Sequence, residues 1–257
     1  MITFSAATLY AWIGAFIWPL TRILGLISAA PVFGHSSVPV TFKIGLGVML
    51  AVIVAPNLPP LPAINPASLP GVLILIQQFI IGTAMGFVMR LIFMAIDMAG
   101  AMIGMTMGLS FASFFDPETE GQTTSISQFL TLLATLIFLG INGHLLLIAD
   151  LVNSFQTLPV GLWPGNHLFL QLANWSGVIF QVGVQLSLPV IAAVLITNIA
   201  LGILTRASPQ LNLFGIGFPL TIGLGYLAIA LTLPYLARPM ETVLGQGLDF
   251  TQALFRK

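Results

Sequence analysis

Few residues in this chain could do chemistry, and most lie far apart. The one dense group is Asp116, Glu118 and Glu120, three of the chain's seven acids. Hard cations take carboxylate oxygens, but Asp116-Pro117-Glu118-Thr119-Glu120 lacks EF-hand spacing and reads as a solvated loop. His35, His144 and His167 stand apart, with no HExxH context and no metal-ligand spacing. There is no GxSxG nucleophile elbow and no GxxxxGK[ST] phosphate loop. Asp97 and Asp150 fall in apolar surroundings, but without the GxGD pattern of an intramembrane aspartyl site. The chain has no cysteine, which excludes thiol catalysis, disulfides and iron–sulfur ligation. The reading is a protein that is not an enzyme and carries no cofactor and no metal.

Composition says where such a chain lives. Its 257 residues are 58% hydrophobic and 5% charged, with a mean hydropathy of +1.06. Soluble domains carry about 25% charged residues; a globule this size could not cover its surface with so few. The apolar runs are continuous rather than alternating, so helices are expected and a β-barrel is not. A formal net charge of zero argues against a nucleic-acid partner. The first fifteen residues carry no basic run before their apolar stretch and read as a first span rather than a cleaved signal.

Apolar segments run roughly over Phe4–Pro31, Ile44–Ala55, Val72–Ser110, Ile126–Val152, Val178–Thr205 and Leu213–Leu236. A span needs about 20 apolar residues, so about six crossings are expected, with the third segment long for one helix and the second short. The proline-rich stretch Ala55–Pro70 reads as an extended connector. Gln156–Trp175 reads as an interfacial loop, with Trp163 and Trp175 suited to a headgroup layer. Pro19, Pro189, Pro219 and Pro234 sit inside apolar runs, and each predicts a kink or a break. In hydrocarbon a break is tolerated only where protein or a water-filled cavity covers it. Arg238, Arg256 and Lys257 place the C-terminus in the cytoplasm, while Lys43 and Arg206 fit a simple alternating topology badly.

Arg22, Arg90 and Asp97 are charges within apolar runs, where each costs about 2.5–3.5 kcal/mol at mid-bilayer and is usually paired or faces a cavity. Arg90 and Asp97 are two helical turns apart on one face, about 10 Å along the axis. They are read as contacts to groups on other helices, with snorkelling to an interface as the plainer alternative. Asp150 reads as interfacial. Gly82 with Gly86, and Gly100 with Gly104 and Gly108, have the four-residue spacing that lets helix backbones approach in lipid. Spacing alone leaves open whether the partner helix belongs to this chain or to another subunit.

Three ordered blocks carry a resemblance. They are PLTRILGLISAAPVFGHSSVPVTFKIGL at Pro19–Leu46, GMTMGLSFASFFDPETEGQTTSISQF at Gly104–Phe129 and TRASPQLNLFGIGFPL at Thr205–Leu220. Together they resemble the FliR/SctT/SpaR family of type III secretion export-gate proteins over nearly the whole chain. The resemblance implies an all-α, multi-helix integral membrane protein of kinked helical hairpins, with a FliP/FliQ-like architecture and one domain over 1–257. It implies assembly with FliP-like and FliQ-like subunits, an associated FlhB-like protein, unfolded export substrates, and a place in the bacterial inner membrane at the flagellar basal body. A virulence SctT homologue is the nearest alternative. A small-molecule secondary transporter is the more distant one, with no clear inverted repeat to support it.

In that family the central loop plugs the closed gate. Carried over, the plug falls at about Thr106–Gln122, with Met105, Met107, Phe111, Phe114 and Phe115 as sealing residues and Gly108 and Gly121 as hinges. Aromatic rings can close a narrow lumen by dewetting, and methionines make a deformable seal. The plainer reading is that these phenylalanines anchor a loop and the methionines fill gaps. Arg206 ends a long apolar helix, where it suits the helix dipole. Arg206, Gln210 and Asn212 are further candidates for contacts between subunits, beside Arg90 and Asp97.

Overall fold

The computed structural model describes residues 6–59, 61–62, 64–109, 125–165, 167–208 and 217–255, with the side chains of residues 6–9 excepted. It is all-α, and no strand occurs among the described residues. The helices are α1 (Ala6–Ala29), α2 (Val40–Val54, followed by a 3-10 turn at Ala55–Asn57), α3 (Leu69–Thr106), α4 (Ser125–Gly140), α5 (Gly143–Thr157), α6 (His167–Trp175), α7 (Val178–Ala207) and α8 (Phe218–Ala253). Five helical stretches are long and apolar enough to cross a membrane, or six if the bent α4–α5 pair counts as one span. This is a multi-pass membrane protein.

The prolines behave differently from one another. Pro19 lies inside α1, Pro189 inside α7, and Pro234 with Pro239 inside α8, so none of these ends its helix. Pro219 stands in the first turn of α8, where its missing N–H costs nothing, and it starts a helix instead of breaking one. The Ile126–Val152 segment breaks without any proline. α4 and α5 meet at 64°, and Asn142 takes the left-handed conformation at φ 57° between Gly140 and Gly143. Asparagine followed by glycine is a turn signal, outweighed at first sight by the apolar run around it. The long third segment is one helix, α3, of 38 residues. The short second segment extends to Val40–Asn57 and is largely uncovered within this chain rather than buried in it. Part of the expected loop at Gln156–Trp175 is the helix α6.

The chain forms two compact units. The first contains residues 1–91, 142–176 and 245–257; the second contains residues 92–141 and 177–244.

In the first unit α1 and the start of α3 touch backbone to backbone. A Cβ at Gly82 would land on the carbonyl of Arg22, one at Gly86 would lie 2.7 Å from the Ala30 nitrogen, and one at Gly25 would lie 2.6 Å from the Phe79 carbonyl oxygen. The Gly82/Gly86 spacing is therefore used for packing inside the chain. α2 folds back on α1, with Gly47 against Leu24, and Lys43 Nζ donates to the carbonyls of Gly34 at 3.0 Å and His35 at 2.9 Å in the turn between them. α6 ends on α8, where the Trp175 ring stacks on Phe250 at 4.1 Å with an interplanar angle of 7°. One face of the Trp175 ring is thus covered by protein. Asp150 is buried, with Oδ2 unpartnered among the described residues.

The polar centre of this unit is Arg22. It has no exposed surface. Nε donates to Gln78 Oε1 at 2.8 Å, one terminal nitrogen to Ser154 Oγ at 3.0 Å, and the other to the Leu158 carbonyl at 2.9 Å. The guanidinium carbon lies 4.0 Å from the centroid of the buried Phe155 ring. A charge expected to be paired is instead met by three neutral acceptors and a ring face, drawn from α3, α5 and the residue after α5. A guanidinium spreads its donors over three nitrogens in one plane, whereas an ammonium group presents all of its donors from a single atom. Replacing Arg22 by alanine strands two buried acceptors, Gln78 Oε1 and the Leu158 carbonyl, at about 1–3 kcal/mol each. Thermal unfolding in detergent is expected to show a large fall in melting temperature for Arg22→Ala and nearly as large a fall for Arg22→Lys. A lysine variant as stable as the parent would mean that charge, and not the fork, is what this site needs.

Candidate functional site

The second unit is organised by the last turns of α3, which run toward the central loop. Its apolar face (Ile92, Ala95, Ile96, Ala99 and Ile103) recurs at helical spacing and is buried. α4 answers with Ile126, Leu130, Ala134 and Phe138 on one face, and Phe93 meets Phe138 edge to face at 5.9 Å.

Glycines and methionines set how closely the other helices approach. At Gly100 the start of α4 lies almost on the backbone: a Cβ there would be 2.6 Å from the Ser127 nitrogen and 2.9 Å from Ser127 Oγ. The Ser127 hydroxyl donates to the Asp97 carbonyl at 2.8 Å, so a polar group at the start of α4 is tied to α3 one turn before Gly100. α7 meets α3 through Gly183, where a Cβ would lie 3.2 Å from Met98 Cγ and 3.3 Å from the Ala95 carbonyl oxygen. One turn on, Ser187 Oγ is 3.8 Å from Met102 Sδ and donates to the Val184 carbonyl at 3.1 Å. α8 is held by Thr221, whose hydroxyl lies 3.1 Å from Asn198 Oδ1 of α7 and donates to the Gly217 carbonyl at 3.0 Å.

α3 ends in a glycine stop. The Met107 N–H donates to Ile103 at 3.0 Å, and the Gly108 N–H donates to Met105 at 3.0 Å. Gly108 then takes φ +82°, a conformation that only glycine reaches without steric cost. Two contacts fasten this stop to α8. Met107 is fully buried against Gly225, and Gly108 lies under the ring of Phe218.

The residues expected to matter divide accordingly. Met107 and Gly108 are brought together with α8 at the stop. Met105, two positions before Met107, points away and is exposed. Phe111, Phe114, Phe115, Gly121, Gln210 and Asn212 lie outside the described residues. Arg90 is exposed and Asp97 partly buried. Arg206 is exposed in the last turn of α7. Phe218 and Gly225 were missed. The signal for them was the spacing of Phe218, Thr221 and Gly225, which places all three on one face of α8.

Residues 13–247 match the model of a family described as bacterial export proteins, family 1. The chain belongs to this family. Among its relatives, the flagellar biosynthetic protein FliR of Pectobacterium carotovorum is 44% identical over 250 residues, 97% of this chain and 95% of that one. FliR of Escherichia coli K12 is 41% identical over 230 residues, covering 88% of this chain and 87% of its own. FliR of Bacillus subtilis is 31% identical over 219 residues, 84% of each. The resemblance read from three blocks is thus a family membership along most of the chain, and these relatives are flagellar biosynthetic proteins.

The packing of this bacterial export protein at Gly100 can be checked directly. There the obstacle is backbone, which cannot rotate away; at Gly183 the nearest atom belongs to a flexible methionine. Overpacking costs about 1–3 kcal/mol where neighbours cannot yield. Gly100→Ala is therefore expected to lower the melting temperature in detergent clearly, and Gly183→Ala to change it little. Equal effects would contradict the close approach of α4 to α3.

Proposed function

We propose that this chain is a pore-forming subunit of the flagellar type III export gate. It assembles with FliP-like and FliQ-like subunits, with an FlhB-like protein associated, in the bacterial inner membrane, and passes unfolded export substrates. The central loop closes the resting channel. Energy for export comes from elsewhere in the apparatus, since the sequence holds no phosphate loop.

The observation that supports assembly is the apolar surface left uncovered. On α3 alone, large exposed apolar side chains extend from Leu69 to Met105, which at 1.5 Å per residue is about 54 Å of helix. Hydrocarbon is about 30 Å thick, and a tilt of 40° stretches the covered length only to about 39 Å. Lipid cannot cover the remainder, so protein neighbours are needed. α7 carries a similar face from Phe180 to Leu204. Flagellar use is favoured over virulence use because the relatives are flagellar biosynthetic proteins.

At the gate, Phe111, Phe114 and Phe115 are assigned the constriction, Met105 and Met107 the deformable seal, and Gly108 and Gly121 the hinges. The described stop at Gly108 supports this reading, because it turns the chain off α3 immediately before the phenylalanines. Arg90 and Arg206, both exposed, are the stronger candidates for contacts with other subunits. Asp97, Gln210 and Asn212 are assigned the same role.

Two measurements test the proposal. Co-expression with FliP-like and FliQ-like chains is expected to yield one complex by native mass spectrometry; a chain that purifies alone under those conditions overturns the assembly. In reconstituted complexes, alanine at Phe111, Phe114 and Phe115 together, or deletion within Thr106–Gln122, is expected to raise ion conductance severalfold. Conductance equal to wild type in intact complexes ends the plug role.

A further inference from the structure

In the second unit α7 and α8 lie side by side, and beyond the contact of Thr221 with Asn198 a hollow of about 410 Å³ opens between them. Sites for small ligands measure about 300–1,000 Å³. Leu186 and Leu236 line it and are buried, while Gln185 and Tyr235 line it and are exposed. A proline inside a helix gives no N–H to the carbonyl four residues before it. Pro189 thus leaves the carbonyl of Gln185, and Pro239 that of Tyr235, without the usual helical donor, and all four residues border the hollow. Hydrocarbon supplies no donor, so a good occupant brings donors as well as apolar surface.

The position of the hollow along α8 says more. No charge occurs from Phe218 to Ala237, which at 1.5 Å per residue is about 30 Å, the thickness of hydrocarbon. Arg238 and Glu241 follow at once, and both are exposed. Tyr235, one turn before Arg238, suits the same boundary. The hollow therefore opens at the edge of the apolar stretch, beside the first charges of the helix.

Those two charges have an order. Arg238 and Glu241 are three residues apart and so are neighbours on the helix surface, with Glu241 about 4.5 Å further from the apolar stretch. Among the described residues neither makes an ion pair. A phospholipid carries its phosphate next to the glycerol and the rest of its headgroup beyond. A guanidinium matches phosphate with its fork of donors. A primary ammonium beyond the phosphate meets Glu241 and has three donors to offer. A choline headgroup has the charge but no donor, and a glycerol headgroup has no cation.

We propose that the groove between α7 and α8 binds one phospholipid with a primary-amine headgroup, phosphatidylethanolamine. Its phosphate sits on Arg238, its ammonium at Glu241, and an acyl chain against Leu186 and Leu236. The site does not involve the central loop and stands whether or not this chain plugs a channel.

Lipid retention tests it. The purified chain is stripped of lipid, placed in nanodiscs of equal parts phosphatidylethanolamine, phosphatidylcholine and phosphatidylglycerol with identical acyl chains, and released for native mass spectrometry. One phosphatidylethanolamine is expected to stay bound, severalfold over the other two. Equal retention of the three lipids overturns the site, and this comparison needs no variant. Arg238→Gln and Glu241→Gln, both at exposed positions, are each expected to lower the retention severalfold. Arg238→Glu combined with Glu241→Arg keeps the net charge and the pair on the helix but reverses its order, and is expected to lose the lipid as fully as the single changes. A swapped chain that still prefers phosphatidylethanolamine overturns the charge order. A parent chain that prefers phosphatidylglycerol, with no loss in Glu241→Gln, has only an anion site at Arg238 and overturns the headgroup assignment. The assembled complex with FliP-like and FliQ-like chains is expected to carry the same lipid. A complex without it, formed by a chain that holds it alone, means that a neighbouring subunit fills the hollow, and overturns the lipid as its occupant.

Discussion

A buried guanidinium with no carboxylate beside it among the described residues is the constraint on which the first unit depends. Removing an arginine from water is tolerated only if its donors are met. Here they are met by a carboxamide, a hydroxyl and a carbonyl from segments far apart in the sequence. Neutral acceptors have an advantage over an acid in this setting. A carboxylate brings its own desolvation cost, whereas Gln78 and Ser154 add none of comparable size. The Phe155 face completes the shell with a contact that strengthens as water is excluded. Arg22 thereby fixes α1, α3 and the end of α5 to one another. The close glycine approaches at Gly25, Gly82 and Gly86 become possible because the helices they join are already held there.

The part of α3 that belongs to the second unit is packed by a different means. Past Leu91 it has no buried arginine, and it meets α4, α7 and α8 through glycines and methionines. Such contacts are non-directional, so they define distance better than angle. The few hydrogen bonds present supply the angle: Ser127 to the Asp97 carbonyl, and Thr221 toward Asn198. One unit thus has a rigid polar anchor, and the other softer, sulfur-rich packing.

How much of this was legible in the sequence depended on whether the cause was local. Helix class and the apolar segments followed from composition, and three blocks identified the family. The Gly82/Gly86 pair was recognised as a packing face, but not its partner, because spacing says that a backbone approaches and not which one. Arg22 was visible as a charge in an apolar run. Its acceptors are 56 to 136 positions away, and nothing in a neutral Gln, Ser or carbonyl marks it as an arginine's partner. Pro219 misled because proline is forbidden in helix interiors but welcome in first turns, and the difference is one of register. The α4–α5 bend was missed for the opposite reason: a two-residue turn signal was outvoted by the apolar residues on either side of it. Met107 was selected for its chemistry and Gly225 was not selected at all, although the two make one contact. A glycine whose role is to be absent leaves no chemical signature.

The charge economy of the chain bears on how it finds its neighbours. Lys43 is spent on two carbonyls of its own turn, Arg22 on three internal acceptors, and the polar groups around Asp97 on Ser127. What remains on the long helices is mostly apolar surface, on faces that extend past the thickness of a bilayer. Recognition by such surfaces works through shape and backbone approach, since lipid and protein compete for them on nearly equal apolar terms. Arg90 and Arg206 are among the exceptions, being exposed, as are Arg238, Glu241 and Asp249 on α8. A lone cation on an otherwise apolar helix is costly in lipid and inexpensive against a partner that offers acceptors, so each favours protein over lipid at one place on its helix. In the assembly proposed above, shape sets how a neighbour packs, and these few charges set where along the helix it stops.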